Sequence, residues 1–264
     1  MASIDVVVQG YNYGSDQGRF GFSGIYLVRG RRNILVDTSH VGRRENLLEG
    51  LKRLHLALTD IDLVVLTHAH WDHMLNVDLF RDTPIMLSRT ELDYAHAPHP
   101  EDWATPGYAG AILDRHNVQT VGEGQEIDDG VWVMETPGHT WGSLTVAVQQ
   151  PEGVAGIVGD AVPNATSAVR RVPYLIFGTE ADARASAEKI LTGCRLLYPG
   201  HDRPFEVVQA GDATRYVDGF EHAITVRGTA APGEVDMAVT LAAPPTRPLW
   251  AFPHAQEPAA ARSH

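Results

Sequence analysis

Apolar positions along the chain alternate between two periods. "IDVVVQG" (4–10), "SGIYLVRG" (23–30) and "NILVDTS" (33–39) read as strands, with Gly30 and the arginines after it making the turn before the third. "YNYGSDQGRFGF" (11–22) has no such pattern and reads as a Gly/aromatic loop. "RRENLLEGLKRLHL" (43–56) carries leucines at helical spacing. "IDLVVLT" (61–67) is a short, continuous apolar run, as a buried strand should be. "DHMLNVDLF" (72–80) then predicts a helix, "PIMLS" (84–88) a strand and "RTELDYAHA" (89–97) a helix. "PHPEDWATPGYAG" (98–110) reads as a loop able to cover a site.

Residues 116–160 read as a run of short strands. "ADARASAEKILTG" (181–193) follows as a helix and "CRLLYPGHD" (194–202) as a strand ending in a loop. "EVDMAVTL" (234–241) reads as an edge strand, and 245–264 as an extended or disordered tail. Each half thus runs strands, helix, strands, helix. That order suits an α/β fold of two mixed sheets packed face to face with helices outside, an αββα sandwich. Nothing reads as a linker, so residues 1–264 are expected to form one domain.

Bulk composition narrows the function classes. A chain of 264 residues with 44% hydrophobic and 20% charged residues can bury a sizeable core. The formal charge of −12 argues against a nucleic-acid surface. The chain has no apolar stretch long enough to span a membrane, and its start lacks a signal-peptide pattern. Lone Cys194 fits a reducing compartment, so the expected location is the cytoplasm.

The candidate chemistry centres on "LTHAHWDHML" (66–75). His68 and His70 are two apart after a strand, so in extended backbone both imidazoles point the same way and can share an ion. Asp72 and His73 follow where the chain turns into a helix and can serve a second ion. The same context, a strand ending in a Gly turn, recurs before His139 in "TPGHTWGS", Asp160 in "GIVGDA" and His201 in "YPGHD". Two ions with one carboxylate between them need about this donor set. With Asp72, Asp160 and a hydroxide, two divalent ions would leave a core of about +1, enough to polarise a carbonyl. All donors are N or O, so zinc is expected first, with manganese, iron or cobalt also fitting. No G-x-S-x-G occurs, so serine catalysis is not supported.

"NILVDT", "THAHWDH", "TPGHTWGS", "GIVGDA" and "YPGHD", in this order over residues 20–205, resemble the metallo-β-lactamase superfamily. The resemblance implies a dinuclear site where the two sheets meet. His68, His70 and His139 would hold the first ion, Asp72, His73 and His201 the second, and Asp160 would bridge. Asp37 looks like the group that orients a ligand histidine. Members that cleave β-lactams usually lack the bridging aspartate, which Asp160 supplies here. Diiron oxidoreductases of the superfamily carry Glu where His70 stands. Glyoxalase-type thioesterases usually add a C-terminal helical domain that this Pro/Ala-rich tail does not resemble.

"GHTWGSLTV" and "YPGHD" look most like the lactonases of N-acyl-homoserine lactones. In those enzymes a Tyr often stands where this chain has Pro163, so Tyr174, Asn164 or the metal alone would assist the carbonyl oxygen. The expected activity is opening of a small-molecule lactone by metal-bound hydroxide, with Asp72 or Asp160 carrying the proton. The alternatives are a cyclic amide, lactam or thioester hydrolase, or a persulfide dioxygenase using one iron. Tyr11, Tyr13, Phe20, Trp103 and Tyr108 are candidates to shape the pocket, and Arg170 and Arg171 to hold a substrate carboxylate. Trp141 is expected to pack, and His40, His96, His99 and His116 to sit on the surface or in loops. The expected partner is a small-molecule substrate, with no nucleic acid or membrane; a homodimer is common among relatives.

Overall fold

The computed structural model describes residues 1–15, 18–208, 213–220, 223–229, 234–240 and 250–251. The first half contributes strands β1 (Ser3–Val8), β2 (Tyr11–Ser15), β3 (Gly18–Phe22), β4 (Ile25–Arg29), β5 (Asn33–Val36), β6 (Leu63–Val65), β7 (Ile85–Ser88) and β8 (Val118–Val121). Six of these form one mixed sheet in the order β1-β4-β5-β6-β7-β8, antiparallel as far as β5 and parallel from there on. Its helices are α1 (Arg44–Arg53), α2 (Trp71–Met74), α3 (Arg89–His96) and α4 (Ala109–Leu113).

The second half contributes β9 (Glu126–Asp128), β10 (Val131–Glu135), β11 (Leu144–Gln150), β12 (Gly153–Gly159), α5 (Ala165–Arg170), β13 (Leu175–Ile176), α6 (Glu180–Gly193), β14 (Leu196–Pro199), β15 (Phe205–Val208) and β16 (Ala213–Tyr216). The second sheet runs β16-β15-β14-β12-β11-β10-β9, with β12 and β14 its one parallel pair.

Period-two alternation sets the layers. In β5, Ile34 and Val36 turn towards the second sheet and pack with Tyr26, Leu63 and Val65 against Val131, Val133, Val146 and Ile157. Leu35, between them, turns the other way and meets Leu47 and Leu51 of α1. On the far sheet Met134, Ala147 and Val158 face outward onto Ala187, Ile190 and Leu191 of α6. The result is four layers, helix–sheet–sheet–helix, as expected. Burying one such side chain stabilises by about 1.5–3 kcal/mol, against about 0.2–1 for a cross-strand pair, so burial fixes the register.

Several local expectations are corrected. Residues 11–15 and 18–22 are not irregular: β2 and β3 pair in antiparallel, Tyr11 opposite Phe22. Their glycines and aromatics hide the alternation. The single helix expected over 72–80 is α2 followed by a separate 3-10 turn at Val77–Leu79. Asn76 breaks it, because its amide donates to the carbonyls of Thr38 (2.9 Å) and His40 (2.7 Å). The loop expected over 98–110 gives way to α4 from Ala109. "ATSAVR" adds a helix, α5, capped by Asn164.

Glu234–Thr240 is a strand, but it pairs with Ala223–Thr229 as a two-stranded ribbon rather than edging a main sheet. The expected tail 245–264 lies outside the described residues, except Trp250–Ala251, which pair in parallel with β13. Among the described residues no helix is long and apolar enough to cross a membrane.

Candidate metal centre

Parallel pairs β5/β6 and β12/β14 deliver their C-terminal ends to one edge of the sandwich. Asp37 follows β5, His68 and His70 follow β6, Asp160 follows β12 and His201 follows β14; His139 sits beyond the end of β10. All seven sequence-predicted donors meet there, and none is more than 7% exposed. Two glycines make the approach feasible. Gly159 turns at φ +48°, a conformation L side chains rarely adopt, just before Asp160. A Cβ on Gly200 would collide with the Asp160 carboxylate.

The ring orientations are set from outside the cluster. Thr67 Oγ1 donates to Asp37 (2.8 Å) and so accepts from Nδ1 of His68 (3.0 Å). His73 donates from Nδ1 to Asp37 (2.7 Å), His139 from Nδ1 to the Leu175 carbonyl (2.9 Å), and His201 from Nδ1 to the Tyr11 carbonyl (3.2 Å). These four therefore present Nε2, with its lone pair, to the centre. His70 is turned round: its Nδ1 lies 3.0 Å from Nε2 of His139, and its Nε2 faces outward.

Candidate ligand atoms lie within 4.8 Å of one another in three overlapping groups: His68/His70/His139, His68/His73/Asp160 and Asp72/His73/His201. Asp160 spans them, with its carboxylate oxygens 3.5 Å from Nε2 of His73, 3.5 Å from that of His139 and 3.1 Å from that of His201. His201 is also 3.3 Å from Asp72.

This arrangement is costly without a cation. Nε2 of His68 and His73 and Oδ1 of Asp160 are buried with no hydrogen-bond partner, at about 1–3 kcal/mol each. Two imidazole lone pairs face each other between His139 and His70. Burial and its histidine neighbours hold His68 well below the usual imidazole range, and burial holds His139 down at about 4. Burial also opposes charge on His73, but the carboxylates of Asp37, Asp160 and Asp72 outweigh it and push its pKa up. For Asp160 burial is outweighed by His201, His73 and His139, which hold the carboxylate well below its usual range. Imidazole nitrogens gathered about an ionised carboxylate are what a divalent cation binds, the cation displacing any proton they hold, so the donor set fits the expected ions.

Two further buried acids, Glu91 and Asp102, support the centre without a local sequence signal for it. Glu91, fully buried in α3, accepts from the amides of Ala69 (2.8 Å) and Gly142 (3.0 Å) and from the Thr140 hydroxyl (2.8 Å). It clamps the loop of His68 and His70 to that of His139. Its only sequence signal was misleading: Ser88 and Glu91 spell a helix-capping box, and Ser88 does cap α3, but the glutamate side chain goes elsewhere. Asp102, in the 98–108 loop, lies 3.7 Å from Nε2 of His70.

A cleft opens on the centre, lined by Asp72, Asp160, His70, His139 and His201 and walled by Asn12, Trp71, Trp103, Tyr174 and Leu175. Of the candidates for shaping it, Trp103 does so; Tyr174, expected to assist the carbonyl oxygen, also lines it, and its hydroxyl accepts from the Asn12 amide. Tyr11 contributes its carbonyl, while Tyr13 and Phe20 fall on side chains outside the described residues. Tyr108 is exposed at the start of α4, and Asn164 is spent on capping α5. Neither Arg170 nor Arg171 lines the cleft, and Arg171 pairs with Glu188. His40 is no plain surface residue: its ring stacks on Phe22 and lies against Trp71.

The chain is 29% identical over 212 residues to metallo-beta-lactamase domain-containing protein 1 of Xenopus laevis, spanning 79% of this chain and 83% of that one. It is 26% identical over 156 residues to an N-acyl homoserine lactonase of a Bacillus species, spanning 58% of this chain and 60% of that one. In fold it is similar to an N-acyl homoserine lactone hydrolase solved with the product N-hexanoyl-L-homoserine bound at its catalytic metal centre. The TM-score there is 0.61, at 20% identity, covering 76% of this chain and 92% of that one. The profile described as "Metallo-beta-lactamase superfamily" matches residues 18–201, a span holding all seven donors. The chain belongs to the metallo-β-lactamase superfamily and is a metal-dependent hydrolase of that family.

Proposed function

We propose that this hydrolase uses two divalent ions, zinc first, to open a small-molecule carbonyl substrate, with a lactone as the favoured class. The carrying observation is the overlap of His68/His70/His139 and Asp72/His73/His201 about Asp160. The lactonase relatives support the choice of bond. His68, His70 and His139 would hold one ion, Asp72, His73 and His201 the other, and Asp160 both. Bound there, such ions polarise a carbonyl and lower the pKa of water towards ~7.

The remaining roles fall to this chain's own groups. Asp72 and Asp160 border the cleft and carry the proton from attacking water to the leaving oxygen. Tyr174 takes the place that Pro163 cannot fill, its hydroxyl held at the cleft by Asn12. Trp71 and Trp103 exclude water from the apolar side.

The test is proton release by metal-loaded protein on lactones of several chain lengths, a thioester, a β-lactam, a cyclic imide and a phosphodiester, with His68→Ala as the blank and metal counted in parallel. Lactone turnover far above the blank with about two ions per chain is expected. Turnover confined to another bond class would replace the lactone reading. A single bound ion would overturn the dinuclear one.

A further inference from the structure

Four of the five histidines at the centre have an evident outer partner on Nδ1, and His70 does not. Its inward atom is Nδ1 and its outward atom is Nε2, buried and without a hydrogen bond. A carboxylate oxygen, Oδ2 of Asp102, lies 3.7 Å from it. Asp102 is itself buried and rigidly held. Oδ1 accepts from the amides of Ala104 (2.8 Å) and Thr105 (3.0 Å), and Oδ2 from the hydroxyls of Thr105 (2.7 Å) and Tyr94 (2.8 Å). The same loop leans on His70 by a second route: Trp103 packs edge-on to Phe177, and Phe177 edge-on to the His70 ring. The Ala104 carbonyl accepts from the amide of Trp71, the residue next to His70.

We propose that Asp102 is a positioning residue for His70, whose carboxylate keeps the ring proton on Nε2 and so leaves Nδ1 as the metal-facing atom. A carboxylate can only accept, so it selects the Nε2–H tautomer. Asp102 carries on its own loop two residues that line the cleft, Trp103 and Ala104. The seating of the cleft rim and the aim of one ligand are therefore one structural event. This inference rests on the ligand set proposed above.

The experiment compares the zinc affinity of wild type, Asp102→Asn and the double variant Tyr94→Phe/Thr105→Val by chelator competition, and reads the His70 tautomer by nitrogen-15 NMR in metal-free wild type. An asparagine amide facing Nε2 favours the opposite tautomer. Asp102→Asn is expected to lose about 10- to 100-fold in zinc affinity. The double variant, which removes the other side-chain partners of Asp102 but not the carboxylate, should stay within about threefold of wild type. His70 should show Nε2–H. Wild-type affinity in Asp102→Asn, an equal loss in the double variant, or Nδ1–H on His70 would each overturn the proposal. If wild type binds no zinc, the ligand set falls, and the tautomer alone decides the Asp102 contact, as it does if Asp102→Asn fails to fold.

Discussion

Asp37 Oδ2 lies 2.7 Å from Nδ1 of His73, and Asp37 reaches it from a left-handed backbone, φ +60°. A non-glycine residue in that region carries strain that its surroundings must hold. Here they do: Asp37 also accepts from the amide and the hydroxyl of Thr67, both at 2.8 Å. One carboxylate thus orients His73 directly and His68 through Thr67.

Asp37→Asn keeps a side chain that tolerates the left-handed backbone but turns an acceptor towards His73 into a donor. Metal affinity should fall about 10- to 100-fold with little change in the fold. Chelator competition beside a circular dichroism spectrum measures both, and unchanged affinity would remove Asp37 from the site.

Glu91→Ala leaves the amides of Ala69 and Gly142 and the hydroxyl of Thr140 without their acceptor in a buried place. A loss of about 2–5 kcal/mol, or roughly 5–15 °C in Tm, is expected. Calorimetry on metal-free protein separates this from metal loss; a Tm within a degree of wild type would show that the clamp contributes nothing.

Tyr174→Phe removes a hydroxyl at the cleft while leaving the ring in place. With a lactone substrate kcat should drop about 10²-fold while KM holds, as for loss of a donor to developing negative charge. An unchanged kcat would leave the carbonyl oxygen to the ions alone.

Cys194 is buried, and burial pushes its thiol up to about 11. At pH 8 the folded thiol should react with a disulfide reagent about 10²-fold more slowly than free cysteine, and faster by about tenfold per pH unit below that pKa. Fast labelling without denaturant would contradict both its burial and its place as packing under α6.

Much was legible in the sequence because the information is local. Alternation in "NILV" and the leucine spacing of α1 mark which face of each element is buried, and that alone implies sheets sandwiched by helices. His68, His70, Asp72 and His73 lie within six positions, and His139, Asp160 and His201 each follow a glycine at a strand end. Composition misled where shape depends on partners: glycines and aromatics hide the alternation in the paired strands β2 and β3, and Arg171 is committed to Glu188.

How the candidate donors face was set by folding. Which nitrogen a histidine turns inward depends on what its other nitrogen meets, and those partners are distant in sequence: Asp37 for His73, Leu175 for His139, Tyr11 for His201. Glu91 and Asp102 were invisible for the same reason, since each reads locally as a helix-start or loop residue. Local sequence was enough to name the candidate donors and the layers they hang from, because periodicity and turn chemistry act over a few residues. Folding decided the aim, because hydrogen bonds that fix a ring close only when strands from both sheets end at one edge.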